Sequence, residues 1–398
     1  MDKLAIQEAM ERAKFYVDDL TVDSPVNDPV KVVTNENQFF SWDNEHRSPD
    51  TKPYLFNWSY YNGVIMEGLY YIYQKTGNKR YLDYATSYIK SMLVTDAAGH
   101  VSLNRRTAGY VDHHGLDCYK TASLVTLLAE NDPQCAELAA DLYRDLTDVH
   151  HINSKGNCVA TDFAEEALGG NYWHSWASGN PPKYKVWLDG LYMAQPFLAR
   201  YAARIGDRAQ QEKITRRLLW VAENMLSPEG LLYHGANSAE DFCPYHWLRS
   251  IGWYAMAIVD VLEYLPKDLA DQLAPVVRTV ADGMLKFQDA ESGMWANLVN
   301  KPVTETNRLE TSGTVMIIYM LLKGVRLGVL PESYKTAAEK AFTGTVEREL
   351  DGTHLHDIYL MASANNTNNY EIPDYYKTDE GKGAGPFIMA YSEMIRRQ

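Results

Sequence analysis

The sequence predicts an all-α protein, an (α/α)6 barrel of six inner and six outer helices, and three observations carry that expectation. First, a unit recurs: a short Gly-, Asp- or Trp-marked entrance, an apolar helix, a tight turn and a more polar helix. Its entrances fall near Trp58, Leu116, Leu188, Ile251, Thr311 and Ala384, spaced by 58 to 73 residues, which is enough for one helical hairpin and a loop. Second, five charged, amphipathic partners follow the first five entrances: Lys79 to Leu93, Pro133 to Val149, Arg208 to Met225, Lys267 to Phe287 and Glu332 to Gly344. Third, the sixth unit runs out of chain, and the helix-like stretch Ile6 to Leu20 is spare to complete it. A ring closed by docking the first helix on the last is therefore expected, as one domain over residues 1–398. A linear helical solenoid is the alternative, and it does not need the two ends to complement each other.

Composition bounds the class. The apolar share of 46% suits a large core, and the net charge of −14 disfavours nucleic acid and anionic membrane surfaces as partners. Residues Met1 to Arg12 carry charges throughout and no stretch offers eighteen uncharged apolar residues, so a cytoplasmic protein with no membrane span is expected. Cys118, Cys135, Cys158 and Cys243 show no metal or disulfide spacing and read as buried thiols. The 28 Tyr and 9 Trp supply rings for a core and for the lining of a sugar cleft.

Each element then has a role. Between Ile6–Leu20 and the first entrance lies a polar, aperiodic stretch that reads as loop. Connections after the outer helices share a Gly turn followed by β-prone residues, as in Asp96-Ala-Ala-Gly-His-Val-Ser-Leu, Ser227-Pro-Glu-Gly-Leu-Leu-Tyr-His and Asp289-Ala-Glu-Ser-Gly-Met-Trp-Ala. They read as short hairpins at one mouth of the barrel, where the entrance residues converge.

The chemistry centres on Lys183-Tyr-Lys-Val-Trp-Leu-Asp-Gly-Leu-Tyr-Met-Ala194. It sets Asp189 between Trp187 and Tyr192 at the start of a helix whose stripe is Leu191, Ala194, Leu198 and Ala202. Pro196, best tolerated in a first turn, fits a helix beginning close to Asp189. Asp117 occupies the equivalent place one unit earlier, and two facing carboxylates suit acid–base work on a glycoside. Desolvation beside Trp187 raises the pKa of Asp189 and a helix N-terminus lowers it, so the two effects compete. Helix capping is the competing reading for both residues.

Lys185 and Arg249 are cations suited to a substrate carboxylate, Arg through its bidentate fork; surface ion pairing is their plainer fate. His174, His234 and His246 lie near the same mouth and make no metal-binding motif, so they read as hydrogen-bonding residues.

Val186-Trp-Leu-Asp-Gly-Leu-Tyr-Met-Ala-Gln-Pro-Phe, Trp247-Leu-Arg-Ser-Ile-Gly-Trp-Tyr, Glu310-Thr-Ser-Gly-Thr and Gly383-Ala-Gly-Pro-Phe, in that order, resemble the unsaturated rhamnogalacturonyl hydrolases of glycoside hydrolase family 105. The resemblance covers the chain from about Trp58 onward. It implies an (α/α)6 barrel that removes a 4,5-unsaturated uronic acid from the non-reducing end of oligosaccharides left by pectin lyases. It further implies Asp189 as general acid/base and Asp117 as the second active-site carboxylate. Trp187, Arg249 and Trp253 would form the sugar subsite, and Tyr60, His174 and His234 would contact substrate. Ser250-Ile251 departs from many relatives, which leaves the leaving sugar open. The implied reaction is hydration of an enol ether, with no metal or organic cofactor and a small unsaturated oligosaccharide as the partner. A conventional inverting glycosidase, an unsaturated glucuronyl hydrolase and a non-catalytic carbohydrate-binding array are the alternatives.

Overall fold

The structure, a computed structural model, describes residues 3–21, 58–103, 116–149, 186–238, 240–364 and 367–395. They carry twelve α-helices in two concentric rings. The inner ring comprises α2 (Tyr60–Thr76), α4 (Ala122–Leu128, led by the 3-10 turn Leu116–Tyr119), α6 (Leu188–Ile205), α8 (Leu248–Leu262), α10 (Thr311–Arg326) and α12 (Gly381–Ile395). The outer ring comprises α1 (Lys3–Leu20), α3 (Lys79–Lys90), α5 (Pro133–Arg144), α7 (Arg208–Asn224), α9 (Lys267–Leu285) and α11 (Ser333–Glu349). Each inner helix packs on the next and α12 returns to α2, so the (α/α)6 barrel is closed.

The two rings differ as their sequences do. Every residue of α8 is buried, whereas α9 buries the stripe Leu269, Leu273, Val276, Val277, Val280, Ala281 and Met284 and leaves its other face wet. Asn78, Asp132 and Asp207 cap α3, α5 and α7 with their side-chain oxygens, which starts each outer helix where the inner one has just ended.

Two features differ from expectation for physical reasons. Helix α11 runs on past Gly344, because that glycine serves a close approach: a Cβ there would lie 2.0 Å from the Ser292 carbonyl oxygen. Pro196 sits in the interior of α6 and not in its first turn, so the ladder lacks one amide donor while the helix continues to Ile205.

The ends meet as expected. Helix α1 lies across α11 and α12, with the Tyr16 ring edge-on to Phe387 at 5.3 Å. On its other flank the Tyr81 hydroxyl donates to Asp18 Oδ1 at 2.6 Å and Arg80 Nε to the Thr21 carbonyl at 2.6 Å.

Short strands gather at the end where the inner helices begin. Strands β1 (Leu93–Thr95) and β2 (Val101–Leu103) form a hairpin; β3 (Val186–Trp187), β4 (Gly235–Ser238) and β5 (Asp241–Phe242) form an antiparallel sheet. Strands β6 (Leu350–Asp351) and β7 (His354–Leu355) pair, as do β8 (Ile358–Tyr359) and β9 (Tyr376–Lys377).

Toward the opposite end the barrel interior holds a chain of charges. Glu67 of α2 meets Lys120 and Arg200, each at 2.5 Å. Lys323 of α10 meets Asp260 of α8 at 2.7 Å and Glu263, the residue that ends α8, at 2.6 Å. Arg326 then joins Glu263 at 2.7 Å to Glu393 of α12 at 2.9 Å. The Tyr71 and Tyr319 hydroxyls donate into Glu67 and Asp260. Charges this deep are tolerable because nearly every one has an opposite within contact.

Cys135 and Cys243 are buried free thiols. Among the described residues no helix is long and apolar enough to cross a membrane.

Candidate active site

Asp189 is the second residue of α6, and Trp187 occupies the cap position with no side-chain capping bond. The Asp189 carboxyl faces sideways: Oδ2 lies 3.2 Å from His234 Nε2, and the residue is 8% exposed. The sheet register explains how residues so far apart in sequence meet. Trp187 is opposite Gly235 in the β3–β4 pair, and the Leu188 amide closes the next step on the His234 carbonyl at 3.2 Å. His234 is thus fixed beside the head of α6 by main-chain bonds before its side chain contributes anything.

Behind His234 lies an aromatic box. The ring is edge-on to Trp187 at 5.2 Å and tilted against Trp247 at 4.9 Å. Its Nδ1 lies 2.6 Å from the Tyr370 hydroxyl, which in turn lies 3.3 Å from Cys243 Sγ. Burial, followed by the nearby Cys243 and Asp189, pushes the Tyr370 hydroxyl far above its ordinary pKa, so it remains a donor.

Trp253 stacks on Tyr192 at 5.1 Å and stands edge-on to Tyr60 at 6.1 Å. Burial raises the Tyr60 pKa, the charge of Asp117 raises it further, and Arg249 opposes them; all three groups therefore share one neighbourhood. The turn carrying Asp117 packs on both α6 and α2. Gly313 of the Glu310-Thr-Ser-Gly motif lets α10 come close to the head of α8, since a Cβ there would lie 2.4 Å from Leu248 Cγ.

Arg249 is 2% exposed and committed to main chain. Its Nη1 donates to the Tyr359 carbonyl and its Nη2 to the Leu360 carbonyl at 3.0 Å, while its guanidinium lies 4.5 Å over Trp247. Glu310 holds the same strand from the other side by accepting the Tyr359 amide at 3.0 Å, while also capping α10 through the Ser312 and Gly313 amides. The pair pins the start of the segment that brings Tyr370 to His234.

Trp187, Asp189 and His234 thus form one cluster, and Tyr60, Asp117, Arg249 and Trp253 a second around Tyr60. His246 joins neither by a described bond: its Nδ1 is bonded to the Leu232 carbonyl at 3.0 Å and its ring stacks on Tyr233 at 4.7 Å. Burial lowers its pKa, so it stays neutral at neutral pH. Lys185 and His174 lie outside the described residues. Sequence reasoning passed over Tyr370, Glu380 and Lys382. The last two form a buried pair at 2.9 Å at the head of α12, and the Glu380 charge is felt at Tyr60. Among the described residues no three His, Cys, Asp or Glu side chains gather as a metal site.

Residues 33–398 match the family described as Glycosyl Hydrolase Family 88. Protein Atu3128 of Agrobacterium fabrum is 30% identical over 230 residues, 51% of this chain and 98% of that protein. An Alteromonas sp. (strain LOR) protein named unsaturated 3S-rhamnoglycuronyl hydrolase is 26% identical over 255 residues, 61% of this chain and 59% of that protein. Among solved structures, a family 105 glycoside hydrolase of C. acetobutylicum aligns with a TM-score of 0.71 at 27% identity, covering 96% of this chain and 99% of that one. The unsaturated glucuronyl hydrolase of Bacillus sp. GL1 shares the fold at a TM-score of 0.62 and 14% identity, covering 97% of this chain and 96% of that one. With the match spanning most of its length, the chain belongs to Glycosyl Hydrolase Family 88 and is a glycoside hydrolase of the family 105 type.

Proposed function

We propose that this enzyme removes a 4,5-unsaturated uronic acid from the non-reducing end of small, rhamnogalacturonan-type oligosaccharides produced by a lyase, acting in the cytoplasm. The observation that carries the reading is the Asp189 carboxyl, nearly buried at the head of α6 and held by His234 beside the Trp187 ring. The relatives named unsaturated 3S-rhamnoglycuronyl hydrolase support the unsaturated uronyl class.

In this mechanism Asp189 donates its proton to C4 of the enol ether, and positive charge develops at C5 and the ring oxygen. Water adds to C5 and gives up a proton to the Asp189 carboxylate, which restores the acid. The hemiketal at C5 opens to leave a hemiacetal at the anomeric carbon, which expels the remaining sugar. Asp117 eases the developing positive charge, and Trp187, Trp253 and Tyr60 provide the walls. Because the Arg249 guanidinium is buried and bonded to the Tyr359 and Leu360 carbonyls, Lys185 takes over as candidate for the substrate carboxylate.

The test is to incubate the protein with lyase-generated rhamnogalacturonan oligosaccharides and follow the ultraviolet absorbance of the conjugated alkene. Loss of absorbance with release of a saturated-end oligosaccharide is expected. In heavy water the released acid should carry deuterium at C4. Release of a uronic acid that keeps its alkene would instead assign a conventional inverting glycosidase.

A further inference from the structure

We infer that Tyr370 and Cys243 are positioning residues that lock His234 in its Nε2–H tautomer, so that His234 presents a donor to Asp189 and not a lone pair. The inference rests on the reading of Asp189 as the proton-transferring group. Its basis is the row of contacts from Cys243 Sγ to the Tyr370 hydroxyl at 3.3 Å, on to His234 Nδ1 at 2.6 Å, and from Nε2 to Asp189 Oδ2 at 3.2 Å.

The direction of the row follows from donor and acceptor counting. An Asp189 carboxylate only accepts, so Nε2 must carry the hydrogen. A neutral imidazole has one N–H, which leaves Nδ1 as an acceptor and makes the Tyr370 hydroxyl its donor. That hydroxyl has then spent its one hydrogen, so its oxygen is open to the Cys243 S–H. Each group points its hydrogen toward Asp189, and water has almost no access: Cys243, Tyr370 and His234 are all buried.

The arrangement matters for the reaction because Asp189 must alternate between acid and carboxylate. His234 engages Oδ2 in both states, so the transferable proton belongs on Oδ1. A flipped tautomer would set the Nε2 lone pair against the carboxylate and turn the carboxyl away from its working orientation. Tyr370 itself is held by other means: its ring stacks on Tyr245 at 4.2 Å, and its carbonyl accepts from Asn297 Nδ2 at 2.8 Å. Removing only the hydroxyl therefore leaves the ring in place.

The test is Tyr370→Phe, with Cys243→Ala and Cys243→Ser beside it. Nitrogen-15 NMR of His234 needs no substrate and stands even where the functional reading fails. In the wild type it should show a protonated Nε2 and a bare Nδ1, and in Tyr370→Phe a mixture of both tautomers. On the unsaturated substrate, kcat should fall about tenfold in Tyr370→Phe with KM little changed and the pH profile displaced, the loss of one hydrogen bond to a neutral group. Cys243→Ala should move in the same direction, and Cys243→Ser, which keeps an O–H donor, should recover most of the loss. An imidazole protonated on both nitrogens, or an unaltered tautomer and pH profile in Tyr370→Phe, would overturn the inference. A wild type with the expected tautomer and no action on the alkene would sink the functional reading alone.

Discussion

His234 Nε2 lies 3.2 Å from Oδ2 of Asp189, and the two residues flank the paired strands β3 and β4, whose register brings them together. The carboxyl at the head of α6 is therefore oriented by a tertiary contact and not by helix capping.

On the proposed mechanism, Asp189→Asn keeps the shape and removes the transferable proton. Turnover should fall by about two to four orders of magnitude, while substrate binding measured by calorimetry survives. Asp117→Asn should cost less, since it removes a charge that eases the developing positive charge and leaves the transferable proton in place. Equal losses in the two variants would give both carboxylates the same rank.

Arg249→Lys keeps the charge and loses the fork. A lysine presents its donors from a single nitrogen and not from two separate Nη atoms, so its bonds to the Tyr359 and Leu360 carbonyls are compromised at a cost of about 1–3 kcal/mol. Chemical denaturation should show that loss, and kcat should drop more than KM rises, because the segment leading to Tyr370 loosens. Unchanged stability with a tenfold rise in KM would put Arg249 on the substrate instead.

Glu67 contributes to acid stability. Burial pushes its pKa up, but Arg200 and Lys120 outweigh that and hold the carboxyl at about 2, against 4.5 for a free glutamate. A depressed pKa stabilises the fold above the unfolded value, and the contribution drains away as pH falls from 4.5 toward about 2. Glu67→Gln strands two buried cations and should cost about 3–5 kcal/mol at pH 7 by denaturant unfolding. A loss below 1 kcal/mol would mean that the cations find other partners.

Glu349 has the opposite sign. Burial and then the charge of Asp357 raise its pKa to about 7, with Arg348 opposing. A raised carboxyl pKa favours folding below 4.5 and ceases to help as pH climbs through about 7. At pH 8 the folded protein must keep this carboxylate charged, so Glu349→Gln should be more stable there by about 1–3 kcal/mol. That advantage should vanish near pH 4.5. Identical melting curves for variant and wild type at pH 8 would refute the assignment.

The rings were readable because helical periodicity is local. Asp189 was readable too, as a lone carboxylate between aromatics at a helix start. What escaped was contact between distant segments. Nothing near Arg249 in sequence announces its bonds to the Tyr359 and Leu360 carbonyls, more than a hundred residues on. Tyr370 follows Asn365-Asn-Thr-Asn-Asn and has no periodic context to mark it. A usable signal was missed at Glu67, Asp260 and Lys323: each is a single charge inside an apolar run, and a helix sealed on all sides tolerates such a charge only with a partner.

The docking of α12 between α2 and α10, with α1 laid over the seam, has a consequence for synthesis on the ribosome. Helix α1 is made before α11 and α12, and its apolar stripe of Met10, Ala13, Tyr16 and Val17 lacks their cover until they emerge. Helices α2 and α10 likewise keep one bare flank until the fifteen-residue α12 leaves the exit tunnel. Between the synthesis of α1 and that of α12 the nascent chain carries unburied apolar surface, which makes it a natural client for chaperones.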